Sequence, residues 1–64
     1  MTRDDEDMIR FLCMRAAALM ENSASMARWP HESHSELLDI VETMERHASR
    51  VTKLISAAVA LTET

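Results

Sequence analysis

The sequence predicts an all-α protein: an antiparallel, coiled-coil-like hairpin of two helices that completes a four-helix bundle by dimerisation or by packing on a partner protein. Three observations predict it. Glycine is absent and proline occurs once in 64 residues, which leaves little material for turns or β-hairpin loops. Ala, Leu, Met, Glu and Arg dominate, and these are the residues with the best helix propensities. Apolar residues recur at three- and four-residue intervals on both sides of one break, around Trp29-Pro30-His31-Glu32. The expected organisation is one domain over residues 1–64, with a helix over about 4–28, a turn over about 29–32 and a second helix over about 33–61.

The first helix is expected to be capped by Asp4 or Asp5. The acidic cluster there sits where the helix dipole favours negative charge. At 100° per residue, Met8, Ile9, Leu12, Cys13, Ala16, Ala17, Leu19, Met20, Ala24, Met26 and Ala27 fall on one half of the circle, with Ser23 among them. The opposite half carries Arg10, Arg15, Glu21, Asn22, Ser25 and Arg28, and one displaced apolar group: Phe11, Met14 and Ala18.

The turn follows from Pro30, which pushes the residue before it out of the helical region. Trp29 is expected to plug the open end of the bundle. The second helix opens with Ser33-His34-Ser35-Glu36, a capping-box pattern just before an apolar run. An unbroken alternation of intervals of four and three follows through Leu37, Val41, Met44, Ala48, Val51, Ile55 and Ala58. A further column holds Ile40, His47, Leu54 and Leu61. The pattern is a coiled-coil-like seam widened on one side. The seam residues expected for the core or a dimer are Ile9, Leu12, Ala16, Leu19 and Met26 on the first helix, and Leu37, Val41, Met44, Ala48, Val51, Ile55 and Ala58 on the second. The outer face of the second helix is charged: Asp39, Glu42, Glu45, Arg46, Arg50 and Lys53, with Glu42 and Arg46 spaced to pair along the helix.

A hairpin needs one apolar stripe per helix, yet the first helix is apolar over about half its circumference. Something else must cover the remainder, either a second copy or a different protein. Phe11, Met14 and Ala18, off the seam, are the candidate partner contacts.

Several activities are disfavoured. The turn segment RWPHESHSE holds His31, Glu32, His34 and Glu36, but His31 and His34 are one residue too close for the H-E-x-x-H zinc pattern, and no Cys lies near enough to complete a ligand set. No metal or cofactor is expected. Cys13, the only cysteine, forms no disulfide within the chain and is expected to pack as a small buried hydrophobe. His47 shares a column with apolar residues and reads either as a border residue or as a pH-sensitive packing position. There is no Gly-rich phosphate loop and no nucleophile–base pair, and two helices enclose too little volume for a water-excluding pocket. Catalysis is therefore not expected. The formal charge of −4 repels phosphate backbones. No secretory pattern and no run approaching the roughly 20 apolar residues of a membrane span are present, and a lone thiol suits a reducing compartment, so a cytoplasmic location is expected.

The leading expectation is a small non-catalytic interaction protein, an adaptor, co-chaperone or regulator, that binds itself or another protein through apolar helix faces. The alternative is nucleic-acid binding through a basic stripe, Arg46, Arg50 and Lys53. In size and plan the chain resembles the repressor-of-primer proteins of plasmids, antiparallel hairpins that dimerise into four-helix bundles and bind paired RNA loops. It is also similar in size, charge and pattern to the small acidic hairpins that serve as co-chaperones for needle subunits in bacterial type III secretion. The secreted Trp-x-Gly hairpin family likewise places a Trp between two helices, but Trp29-Pro30-His31 departs from that motif and this chain is much shorter.

Overall fold

The computed structural model describes residues 1–30 and 33–63. Two helices, α1 (Arg3–Arg28) and α2 (His34–Thr62), pack side by side in opposite directions. At 1.5 Å per residue they are about 39 and 44 Å long, and the Cα trace measures 50 × 15 × 10 Å. The fold is one layer thick.

Each helix starts where its cap dictates. The N-cap of α1 is Thr2, rather than Asp4 or Asp5 as expected. The Thr2 hydroxyl accepts the Asp5 amide at 3.1 Å, and the Asp5 carboxylate accepts the Thr2 amide at 3.4 Å. A capping box thus forms with Asp in the place usually held by Glu or Gln. Asp4, Asp5 and Glu6 then occupy the first turn, and Arg28 the last, each with the sign the helix dipole favours. The helix stops at Trp29, which is extended (φ −70°, ψ 141°) ahead of Pro30. The Ser33 hydroxyl accepts the Glu36 amide at 3.1 Å and caps α2. Within α2, the Thr43 and Thr52 hydroxyls donate to the carbonyls of Asp39 and Ala48, four residues back.

The seam on α1 runs through Ile9, Leu12, Ala16, Leu19, Ser23 and Met26, all at least half-buried. On α2 it runs through Ile40, Met44, His47, Val51, Leu54, Ala58 and Leu61. Both lists alternate steps of three and four, the spacing of a left-handed two-helix contact. This differs from the expected register of α2. Met44, Val51 and Ala58 lie in the seam, but Leu37, Val41, Ala48 and Ile55 are exposed, and Val41 is 61% exposed. The second helix carries two overlapping frames that share Met44, Val51 and Ala58, and only one can face α1. The frame that does so brings His47 against Ser23, with Ser23 Oγ and His47 Nδ1 2.9 Å apart. A half-buried imidazole needs a polar partner, and α1 supplies one at that level.

Among the described residues only Ala16 (0% exposed) and Ala58 (6%) are fully buried, and no large side chain is. Counting from the Ser23–His47 level, Ala16 lies at the height of Leu54 and Ala58 at the height of Leu12. A small residue thus meets a large one at each of these levels, which lets the helix axes approach closely.

Candidate interaction surfaces

The hairpin has an inner seam, two broad flanks and two outer edges. Each expected functional residue within the described chain falls on a definable one of these.

Phe11, Met14 and Ala18 lie on the edge of α1 turned away from α2. Phe11 is 60% and Met14 67% exposed, and Ala18 is exposed as well. A shallow recess of about 460 Å³ lies beside this edge, lined by Asp4, Asp7, Met8 and Phe11. The edge is apolar but convex, and its apolar side chains are interrupted by charge. Arg10, nearby, makes a long contact of 4.0 Å with Asp7, an exposed pair of little energetic weight.

Arg46, Arg50 and Lys53 lie on one flank and the back of α2 and are all exposed. Arg46 does not turn to Glu42 as its spacing suggested; its Nη2 donates to the Thr43 hydroxyl at 3.1 Å. None of the three forms an ion pair among the described residues.

The other flank is different in kind. Here an open groove of about 500 Å³ runs between the helices, lined by Met20, Ser23, Ala24, Met44, His47, Ala48, Val51 and Thr52. Its lining is almost wholly apolar, and the Ser23–His47 bond lies in its floor. Heptad steps extend it in both directions. On α1 they lead to Cys13, Ala17 and Ala27, all exposed. On α2 they lead to Leu37, Val41, Ile55 and Val59, exposed as well. The widened seam read from the sequence is therefore two surfaces, an inner contact and this flank. Cys13, expected to be buried, is exposed because it belongs to the flank.

The turn end carries no comparable site among the described residues. Trp29 is 63% exposed rather than inserted as a plug. It borders a depression of about 210 Å³ with Met26, Glu36, Asp39 and Ile40. The expected pairing of His31 and Glu32 with His34 falls outside the described residues, apart from His34, the first residue of α2. Among the described residues no group of three or more His, Cys, Asp or Glu side chains is placed to hold a metal ion, and no helix is long and apolar enough to cross a membrane.

Sequence reasoning did not separate the groove from the seam. The signal was present: two frames in the second helix shared every second member. Compared with known protein families, curated proteins and solved structures, the chain matches none.

Proposed function

We propose that the protein is a small non-catalytic interaction module, an adaptor, co-chaperone or regulator, whose work is done by apolar helix faces that close against another helical surface. The observation that carries this reading is the burial pattern. A pair of long helices with only Ala16 and Ala58 fully buried among the described residues leaves Met20, Leu37, Val41, Ile55 and Val59 exposed on the groove flank, and Phe11 and Met14 on the edge. Domains are ordinarily built from at least two packed layers around one core, and this chain supplies one.

The test is molar mass by light scattering at micromolar concentration, together with the thermal melt of the same sample. The reading expects either about twice the chain mass of 7.3 kDa, or a monomer that melts without cooperativity until a partner is supplied. A monomer that melts cooperatively at a midpoint independent of concentration would overturn it.

A second reading, nucleic-acid binding, is favoured by one observation: Arg46, Arg50 and Lys53 are exposed with no acidic partner among the described residues. It predicts RNA binding that falls steeply with salt and is lost in an Arg46→Ala/Arg50→Ala variant. The net charge of −4 weighs against it.

A further inference from the structure

We infer that the groove flank is occupied by a second copy of this chain, related by a two-fold axis running along the hairpin, so that both turns lie at the same end and α1 of each copy lies over α2 of the other. This rests on the interaction-module reading and specifies its surface, occupant and alignment.

Surface area points to an interface of ordinary size. The chain exposes 5125 Å², whereas a folded monomer of its mass exposes about 4,200 Å². The surplus of roughly 900 Å² is close to the ~800 Å² that each partner contributes to a standard stable interface. The uncharged apolar surface that could supply this area lies on the groove flank, because the other flank carries Asp39, Arg46 and Arg50.

Shape selects a second copy and its orientation. On the flank, the row on α1 reads Cys13, Ala17, Met20, Ala24, Ala27: small throughout except for Met20. The row on α2 reads Leu37, Val41, Ala48, Thr52, Ile55, Val59: large except for Ala48 and Thr52. A two-fold axis along the hairpin preserves height, so the Ser23–His47 bond fixes which residues of the two rows meet. Each step up α1 is a step down α2. Cys13 then comes within about 3 Å of the height of Val59 of the other copy, Ala17 of that of Ile55, and Ala27 of that of Val41. Met20, the one large member of the small row, comes midway in height between Ala48 and Thr52, the two smaller members of the α2 row, and enters the groove between them. The alternative axis, across the hairpin, stacks α2 on α2 and α1 on α1, large row on large and small row on small. One helix pair would then be forced apart while the other was left underpacked.

Charge agrees with that orientation. Beyond the small row, α1 carries Arg10 and Arg28 on its rim; beyond the large row, α2 carries Glu45 and Glu63. The same heights bring Arg28 within about one helical turn of Glu45 of the other copy, and Arg10 within one turn of Glu63. Stacking α2 on α2 about Ala48 would instead bring the two Glu45 side chains toward each other. Glu21, also on the α1 rim, meets no charge in the arrangement proposed, and Glu6, one heptad before Cys13, comes close to the height of Glu63 of the other copy, a like-charge approach that Arg10 offsets.

Two measurements test the inference on the full chain. The first is a Val59→Cys variant under mild oxidation, read on a non-reducing gel. Cys13 and the new thiol face each other between copies, so a covalent dimer forms, whereas the parent, whose two Cys13 thiols lie diagonally across the bundle, stays monomeric on the same gel. The second is a size exchange. Ala48→Met sets a second large side chain against Met20 and raises the dimer dissociation constant at least about tenfold. Adding Met20→Ala to it restores dimerisation toward the parent value. A dimer by mass in which Cys13 forms no disulfide with the introduced thiol, and in which the size exchange gives no rescue, would overturn the inference while leaving the module reading standing. A parent that stays monomeric by mass would overturn it too. In that case the melt decides the broader reading: a non-cooperative monomer keeps it with another protein as occupant, and a cooperative one removes it.

Discussion

Ala16→Leu should separate the two helices of the hairpin. Ala16 is the only described residue with no exposure at all, and it marks a point where the axes of α1 and α2 come close. Leucine replaces the alanine methyl by an isobutyl group where no space exists. The seam must widen or the side chain must leave its preferred rotamer, and overpacking of this kind typically costs about 1–3 kcal/mol. For a chain of this size, 1 kcal/mol moves the melting midpoint by about 4–8 °C, so a fall on the order of 5–20 °C is expected. The control is Ala18→Leu, the same chemical change on the exposed edge of the same helix, which should shift stability by no more than about 0.5 kcal/mol. The assay is helical circular dichroism followed through a thermal melt, with a urea titration to confirm that the slope is unchanged. If Ala16→Leu melts like the parent, or if the two variants fall together, the seam register is wrong.

Other substitutions probe the remaining links. Val51→Asp buries an unpaired charge in the seam and should abolish cooperative unfolding, visible as loss of helicity at room temperature. Ser23→Ala leaves His47 Nδ1 without its partner and should cost about 1 kcal/mol; the Ser23→Ala/His47→Leu double variant should recover much of that loss, which a double-mutant cycle of urea melts would show. Ser33→Ala removes the α2 cap and should cost about 1 kcal/mol, with the loss of helicity confined to the first turn in amide exchange. Phe11→Ala should leave the melt of the isolated chain unchanged within about 0.5 kcal/mol, because Phe11 lies outside the seam.

The architecture was legible in the sequence because its signals were redundant. Absent glycine, one proline and two long apolar periodicities all point to two helices, and Pro30 and Ser33 mark the turn by independent mechanisms. Register was the hard part. On α1 two sets of residues at steps of three and four are apolar; the one with Ile9, Leu12, Ala16, Leu19 and Met26 faces α2, and the one with Cys13, Ala17, Met20, Ala24 and Ala27 lies on the flank. On α2 the inward frame holds one polar residue, His47, so counting hydrophobic residues favours the frame without it. The structure turns the other one inward, where His47 meets Ser23, and that is a relation between two helices that no reading of one helix alone reveals. Thr2 caps α1 and the acidic residues after it fill the first turn, with Asp5 serving as the second half of the box. The exposed edge of Phe11, Met14 and Ala18 was visible as a break in periodicity. The groove was not, because its residues were counted as core.

If the hairpin's open apolar side is closed by another helical surface, and by a second copy in the two-fold arrangement, folding and association are one event. The most direct test is the melting midpoint as a function of chain concentration. Mass action then raises the midpoint by about 5 °C for each tenfold increase in concentration. A sharp transition whose midpoint does not move over a hundredfold range would show that the hairpin is complete alone, and would contradict the account.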